Sequence, residues 1–282
     1  MDKIVRVQSD RCKYCNSGNI VKFGTFQGMQ RYFCKSCHRK FADNDALPKM
    51  KTPIWIISLA LNLYYDGMSP GAIQSEINQQ HGAIYAQSTI YNWIIRFSEE
   101  AIRQAKSFQP EAGDKLFLGM TPAGTIHHRF WFLDIFDTNS KFLLASCLSE
   151  TSADQEAIGF ILSYLFTVQK KPDLPLMIVL SDAFNVDAFT KKDKATEFHD
   201  KLNFVKADKT MQGQFDKILK RRARVVHSFK SIDKARTLTE AWRLYYNFIA
   251  GDNARGRVPP AQKTGKIPFR KWKDVISQSL TQ

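Results

Sequence analysis

The sequence lacks the features that mark secreted and membrane-spanning proteins. No uninterrupted apolar run in its 282 residues is long enough for a membrane-spanning helix, which takes about 20 residues. The amino-terminal stretch "MDKIVRVQSD" has no apolar core of the kind that a signal peptide needs. We therefore expect a chain that contacts no membrane and works in the cytoplasm.

Cysteines and acidic residues are also scarce. There are five cysteines, an odd number, and four of them fall within residues 12–37. This distribution is typical of a metal site in a reducing compartment and argues against a disulfide framework. Aspartate and glutamate total 27 against 41 lysines and arginines, which gives a net charge of +14 and favours a polyanionic partner. Charge alone does not separate a nucleic acid from an anionic membrane surface.

Two short motifs near the amino terminus, "CKYC" and "CKSC", each place two cysteines with two residues between them. This is the spacing of zinc knuckles, and the predicted ligands are Cys12, Cys15, Cys34 and Cys37. Between the motifs, "IVKFGTF" and "MQRYF" alternate apolar and polar residues, which predicts a β-hairpin. Because four thiolates leave no open coordination position, we expect a structural zinc ion and not a catalytic one.

The pattern predicts three helices after a polar linker. The first has Thr52 as its cap, the second begins after Ser69, and the third follows Ser88. This order is typical of a helix-turn-helix whose third helix enters the major groove of DNA. An apolar stripe on the third helix leaves three outward side chains as candidate base or phosphate contacts: Thr89, Asn92 and Arg96. A plain helical bundle is the alternative interpretation.

From residue 114 onward the pattern is that of an α/β sheet. Three short apolar strands are followed by a helix and then by the buried strand "LPLMIVLSDAF". Asp114 stands at the start of the first strand and Asp182 at the carboxyl end of the fourth. Converging carboxylates can hold a pair of Mg²⁺ ions for phosphodiester chemistry, whereas a lone aspartate at a strand end is more often a turn or cap residue.

The stretch "FDKILKRRARVVHSFKS" predicts an amphipathic helix with a basic face. Its candidate phosphate contacts are Lys217, Lys220, Arg221 and Arg224. Arg222 alone falls on the apolar side of the helical wheel. A solvated surface helix with no ligand is the alternative.

The order of ribbon, helical domain and strand-rich core resembles the DDE-domain transposases of prokaryotic insertion sequences over nearly the whole chain. The blocks that carry this resemblance are "FDTNSKFLLASCLSE", "VLSDAF", "ILKRRARVVHSFKSIDKA" and "WRLYYNFI". It implies an RNase H-like core, a mixed sheet with flanking helices, preceded by a zinc-ribbon β-hairpin and a small helix-turn-helix domain. The corresponding domains are the zinc ribbon (1–47), the helix-turn-helix domain (48–108), the RNase H-like DDE-type domain (109–252) and a basic carboxy-terminal arm (253–282).

The resemblance also implies three metal-binding acids. Allowing for an insertion, the first falls on Asp114 and the second on Asp182, but the third position holds Gly213. Asp216, three residues further along, is the candidate for a displaced third acid. The departures from the family pattern cluster on the expected active site, while the apolar blocks persist.

We therefore expect a transposase-family protein that binds duplex DNA, with DNA cleavage and strand transfer impaired or lost. The expected ligands are structural zinc, Mg²⁺ if catalysis survives, and DNA that includes the terminal inverted repeats of a mobile element. A homodimer is also expected. One alternative is an active DDE transposase with Asp216 as the third acid, and another is a zinc-ribbon RNA-binding or transcription-associated protein. The arm at 253–282 fits a DNA-covering segment and a solvated tail equally well.

Overall fold

A computed structural model of the chain describes most of the sequence. The described residues are 10–26, 28–44, 46–48, 50–110, 112–124, 129–150, 152, 154–168, 176–190, 202–225, 231–251, 258–263 and 267–279. Within these ranges, no helix is both long enough and apolar enough to cross a membrane.

The first unit is a small antiparallel sheet beside the four clustered cysteines. Its strands are β1 (Ile20–Phe26), β2 (Met29–Cys34) and β3 (Lys40–Ala42). The predicted hairpin is confirmed, and Gly28 supplies the left-handed backbone of its turn with φ of 73°. Tyr32 and Phe41 stack at 5.6 Å on one side of this sheet and form, with two of the cysteines, a core separate from the main one.

Three helices follow the ribbon. They are α1 (Ile54–Tyr65), α2 (Pro70–His81) and α3 (Gln87–Ala105). As predicted, Ser69 caps α2, where its Oγ accepts a hydrogen bond from the Ala72 N–H at 3.2 Å. The third helix begins one residue before the predicted cap Ser88, with Ala86 at the N-cap position and no side-chain cap.

The main sheet has five strands. They are β4 (Lys115–Gly124), β5 (Arg129–Asp137), β6 (Leu143–Ser149), β7 (Leu176–Leu180) and β8 (Leu202–Lys206). Their order across the sheet is β6-β5-β4-β7-β8, with the first three antiparallel and β7 and β8 parallel to β4. A meander extended by two parallel strands is the RNase H-like arrangement, so the predicted α/β fold class is confirmed.

Helices cover this sheet. They are α4 (Asp154–Val168), α5 (Val186–Thr190), α6 (Lys209–Val225) and α7 (Ile232–Leu244), followed by a π-helical turn (Tyr245–Ile249), a 3₁₀ turn (Pro260–Lys263) and α8 (Trp272–Gln278). Helix α6 is fixed to the sheet by Phe215, whose ring stacks on Phe117 of β4 with centroids 4.1 Å apart. Phe136 of β5 lies 4.9 Å from the same ring. These aromatic contacts fix the part of α6 that precedes its basic residues.

The helical domain and the sheet share one apolar core. Tyr65 of α1 stacks on Tyr245 at 5.5 Å and on Trp272 of α8 at 5.3 Å. Trp272, Val275 and Ile276 are fully buried, so the described end of the predicted arm is a packed helix and not a solvated tail. Their spacing of three and four residues is the pattern of one helix face, and it explains why this segment folds against α1.

The edge strand β6 is covered at its beginning by side chains from α7 and the π-helical turn. The Asn247 amide donates to the Leu143 carbonyl at 2.8 Å, and its Oδ1 accepts from the Leu143 N–H at 2.9 Å. Arg243 donates to the Leu144 carbonyl at 3.2 Å. Asn247 is fully buried, and its amide takes the place that a neighbouring strand would occupy.

Candidate functional site

The four predicted zinc ligands converge. The sulfur atoms of Cys12, Cys15, Cys34 and Cys37 all lie within 4.8 Å of one another. The Cys12–Cys37 and Cys15–Cys34 sulfur pairs are each 3.6 Å apart. A tetrahedral zinc ion with Zn–S bonds of about 2.3 Å places its sulfurs about 3.8 Å apart, so the cluster fits this ion.

The backbone turns in the same way after each pair of cysteines. Asn16 and His38 each follow the second cysteine of a pair and adopt left-handed φ angles of 57° and 56°. The pKa values of two of the thiols move in opposite directions. Burial raises the pKa of Cys37 to about 12, whereas for Cys34 the effect of burial is outweighed by hydrogen bonds from the Cys37 and Ser36 backbones, which lower its pKa to about 6. His38 is exposed and lies outside the sulfur cluster. Four sulfurs complete a tetrahedral shell, which fits a structural role for the ion.

Helix α3, predicted to enter the major groove of DNA, presents its outward side chains to solvent. Asn92 and Arg96 are exposed on α3, and Thr89 is half-buried. The apolar stripe predicted for this helix, Ile90, Trp93, Ile94 and Phe97, is buried. The stripe therefore holds α3 against the core and leaves Asn92 and Arg96 available to a ligand, and their contact with DNA remains a prediction.

The basic face of α6 is also exposed. Lys217 and Lys220 are open to solvent, whereas Arg221 is half-exposed and lies 3.6 Å from the Asp66 carboxylate of α1. The side chain of Arg224 lies outside the described residues. Of the residues predicted for the basic face, Lys217 and Lys220 are thus exposed candidates for phosphate contacts, and the exposed Lys209 stands at the beginning of the same helix.

Arg222, the basic residue on the apolar side of α6, forms a buried ion pair. Its guanidinium makes two hydrogen bonds to Asp134 of β5, at 2.5 and 2.6 Å, and both side chains are fully buried. Ser146 also donates to Asp134, at 2.6 Å, and the guanidinium lies 3.7 Å over the Phe132 ring. This arginine is therefore part of the core and does not belong to the basic face.

The two aspartates assigned to the first and second acid positions lie at opposite ends of the sheet. The Asp114 carbonyl accepts from the Met177 N–H, at the beginning of β7, whereas Asp182 follows the end of that strand. At about 3.3 Å per residue, the two aspartates are about 20 Å apart along the strands. A two-metal site spans only about 4 Å, so these two carboxylates do not share one.

The β4 residue level with Ser181, one residue before Asp182, is Gly119. The Ser181 N–H donates to the Leu118 carbonyl at 2.9 Å, which places Gly119 next to the end of β7. A Cβ atom on Gly119 would lie 3.0 Å from the Phe117 ring and 3.4 Å from a Leu219 methyl. The register between β4 and β7 is set by long-range pairing, which local sequence does not reveal.

The start of α6 lies against the same strand end. Gln212 accepts from the Asp182 N–H at 3.2 Å and donates to the Asp216 carboxylate at 2.7 Å. Gly213, next to Gln212, has no atom within 4 Å of the position where a Cβ would stand. Asp208 is a third carboxylate on these neighbouring segments, beside Asp182 and Asp216. It accepts from the Met211 N–H at 2.8 Å, and the Ala207 N–H next to it donates to the Leu180 carbonyl.

A lysine side chain also lies at this corner of the sheet. Lys206, at the end of β8, donates to the carbonyls of Asp182 and Phe184 at 3.1 and 2.7 Å. In the described part of the chain, only one group of three or more histidine, cysteine, aspartate or glutamate side chains converges, and it is the group of four cysteines. The three aspartates at this corner, Asp182, Asp208 and Asp216, do not form such a group, whereas a two-metal site needs converging carboxylates.

Comparisons with solved structures find integrases and a transposase. The magnesium-bound catalytic core of HTLV-2 integrase, in a trimeric form, is 16% identical over 55% of this chain and 97% of that one, with a TM-score of 0.37. The simian T-cell lymphotropic virus intasome in complex with the PP2A regulatory subunit B56 gamma is 12% identical over 74% of this chain and 73% of that one, with a TM-score of 0.35. The Mos1 strand transfer complex is 8% identical over 84% of this chain and 78% of that one, with a TM-score of 0.33.

These TM-scores are low, so the fold assignment rests on the strand order of the chain itself. No protein-family model and no curated protein matches the sequence.

Proposed function

We propose that the chain is a transposase-family protein that binds duplex DNA and has lost most or all of its cleavage and strand-transfer activity. The observation that supports this proposal is that no three acidic side chains converge in the described part of the chain. Gly213, next to Gln212 on α6, stands where the resemblance implies the third acid. Phosphodiester chemistry with two Mg²⁺ ions needs several converging carboxylates, and this corner of the sheet offers too few.

Duplex binding is supported by the distribution of charge. The chain carries a net charge of +14, Asn92 and Arg96 are exposed on α3, and Lys217 and Lys220 are exposed on α6. Lysines that neutralise phosphates release counterions, so affinity falls with salt. A grip on about five phosphates gives a slope of log affinity against log salt near −4 to −5 on B-DNA.

A binding experiment tests this part of the proposal. Fluorescence anisotropy with a labelled duplex, repeated across a salt series, should show this slope for the wild-type chain. Lys217→Gln and Lys220→Gln should each make the slope about 0.9 shallower. Lys106→Gln, a matched change at an exposed lysine beyond α3, should leave it unchanged. A nearly flat slope for the wild-type chain would refute the phosphate grip.

A cleavage experiment tests the loss of activity. The purified chain with Mg²⁺ or Mn²⁺ should neither nick nor join duplexes that carry its cognate ends, which are the inverted repeats flanking the gene where such repeats exist. Activity that Asp182→Ala abolishes would overturn the proposal.

A second candidate is an active DDE transposase in which Asp216 serves as a displaced acid. The observation that favours it is the Gln212 bridge, which ties Asp216 to the backbone of Asp182. On this hypothesis Asp216→Asn abolishes cleavage and leaves duplex affinity within about twofold of wild type. The third reading, a zinc-ribbon RNA-binding or transcription-associated protein, predicts tighter binding to RNA than to duplex DNA at equal salt.

A further inference from the structure

The two faces of the ribbon sheet differ in what covers them. One face carries Tyr32, Cys34 and Phe41, which are buried together beside the cysteine cluster. The opposite face has no covering segment among the described residues and exposes four apolar side chains. Their exposed fractions are 38% for Val21, 39% for Phe23, 60% for Phe26 and 39% for Met29.

We call this surface the open ribbon face, and it consists of Val21, Phe23, Phe26, Met29, Arg31, Phe33 and Lys40. Strand pairing places Val21 opposite Phe33, Phe26 opposite Met29, and Phe33 opposite Lys40, and paired residues share a face. A cluster of exposed aromatic and long apolar side chains on a small domain marks an interaction site.

Cations lie over the rings of this face. The Lys40 ammonium is 3.9 Å from the centroid of Phe23, and the Arg31 guanidinium is 5.6 Å from Phe23 and 5.7 Å from Phe26. Neither cation forms an ion pair with an acidic side chain in the described part of the chain. Their charge is therefore available to an anionic ligand.

The surrounding ribbon is basic as well. Residues 10–44 contain seven lysines and arginines against two aspartates, a difference of five positive charges. A zinc ion with four thiolates carries a charge of about −2, which leaves the loaded ribbon at about +3. A purely apolar partner would bury these cations without compensation, which is costly, whereas a polyanion would pair with them.

Exposed rings beside unpaired cations are the arrangement that binds unpaired bases. In a duplex both faces of a base are covered by its neighbours, but in a single strand they are free to stack on aromatic side chains. We propose that the open ribbon face binds single-stranded DNA. Bases stack on Phe23 and Phe26, while Arg31 and Lys40 contact the adjacent phosphates. The choice of DNA over RNA rests on the proposed function, whereas the stacking itself does not.

The test measures binding of the full-length, zinc-loaded chain to a fluorescent oligothymidylate by anisotropy. Phe23→Leu and Phe26→Leu keep an apolar side chain but remove the ring, so each should weaken binding about 5- to 100-fold. Thr25→Val, a change at an exposed residue of the same strand whose partner Gln30 lies on the opposite face, should stay within twofold of wild type. Zinc content measured for each variant checks that the ribbon is intact.

Four further outcomes are decisive. The two phenylalanine variants should bind a blunt duplex of equal length as tightly as wild type does. If their affinity for the duplex falls as much as their affinity for the oligothymidylate, the face is a duplex contact and the proposal is overturned. An oligouridylate bound more tightly than the oligothymidylate would replace DNA with RNA. A dimer in sedimentation that Phe26→Leu dissociates would show that a second copy covers the face. Single-strand binding equal in all variants would refute stacking.

Failure of the proposed function gives a different result. If the chain binds no duplex, or if Lys217→Gln and Lys220→Gln leave the duplex salt slope unchanged, duplex recognition through α6 is lost as an explanation. Ring-dependent binding to the oligothymidylate would still stand in that case.

Discussion

Arg222 shows how one residue can belong to a basic sequence run and yet act in the core. Five basic side chains lie between Lys217 and Arg224, but this one turns toward β5 and pairs with Asp134. A buried charge without its partner is strongly destabilising, because neither water nor a counterion reaches it. The ion pair also fixes the rotation of α6, since a turned helix would bring Arg221 or Ala223 to face Asp134.

We predict that Arg222→Met lowers the free energy of unfolding by about 3–5 kcal/mol, because Asp134 is left buried and unpaired. Arg221→Met, the matched control, should cost no more than about 1 kcal/mol, since its ion pair with Asp66 is half-exposed and screened by water. Urea unfolding followed by circular dichroism measures both. The double variant Asp134→Leu, Arg222→Met should recover most of the loss, and a single variant as stable as wild type would contradict the prediction.

Gly213 on α6 and Gly119 on β4 should respond to alanine in opposite directions. Gly213→Ala fills open space on a helix and should raise the free energy of unfolding by about 0.5–1 kcal/mol. Gly119→Ala pushes a methyl group against the Phe117 ring, which is stacked on Phe215 and has little freedom to move, so it should cost about 1–3 kcal/mol. Thermal unfolding of the two variants side by side measures the contrast. Equal shifts would contradict the crowding described for Gly119.

Signals in single residues and their spacing predicted part of what the structure shows. The apolar periodicity identified the buried stripe of α3 and set Arg222 apart from the other basic residues. The partner of Arg222 also has a sequence signal, since Asp134 is an acidic residue in the middle of the apolar strand "HRFWFLDIFD". The register of β4 against β7 leaves no trace in local sequence, and for that reason the sequence did not reveal that Asp114 and Asp182 lie at opposite ends of β7.

At the level of elements, the ribbon has its own core and is held by its cysteine cluster. Tyr32 and Phe41 form a cluster too small to order a sheet without further support, and a structural zinc ion supplies that support in domains of this size. The main core lies in a separate cluster of buried side chains. The stability of the ribbon should therefore be separable from that of the rest of the chain.

We predict that removing zinc with a chelator unfolds the ribbon and leaves the helices and the five-stranded sheet folded. Helical circular dichroism should change little, while the four clustered cysteines become reactive toward a thiol reagent. Cys34→Ser should give the same pattern without chelator, and Cys147→Ser, outside the cluster, should not. Loss of most of the helical signal on chelation would show that the ribbon supports the main core.

Elements with a strong local pattern were predicted well, and those held by distant contacts were not. The hairpin between the knuckles and the capped helix α2 have signals in adjacent residues, which sequence reasoning can use. Helix α8 has only seven residues and depends on Tyr65 and Tyr245, which lie far away in sequence. Such short helices are stabilised by tertiary packing, and sequence alone does not reveal the partner.

At the scale of the whole molecule, buried tyrosines couple stability to alkaline pH. Burial is the largest cause that raises the pKa of seven tyrosine side chains. The rise is large for Tyr64, Tyr65, Tyr164, Tyr245 and Tyr246 and smaller for Tyr32 and Tyr91. Above about pH 10 the unfolded chain loses these protons while the folded chain keeps them. The folded state then binds more protons than the unfolded state, so the free energy of unfolding falls as pH rises.

We predict a stability that these tyrosines leave unchanged below about pH 9 and that declines steadily above about pH 10. Urea unfolding at a series of alkaline pH values measures the decline. A parallel titration of tyrosinate absorbance in the folded chain should show some of the nine tyrosines ionising early and the buried ones only on unfolding. Ionisation of all tyrosines near pH 10 without unfolding would contradict the prediction.

The amide of Asn247 has a consequence for how one molecule meets another. An outer strand with free N–H and carbonyl groups is a template on which a second chain can add its own strand, and repeated addition leads to fibres. At Leu143 both groups are already bonded to a side chain of the same molecule. The side chain of Asn247 therefore leaves an added strand no backbone groups to pair with at Leu143, so the sheet cannot be extended beyond β6 at this point.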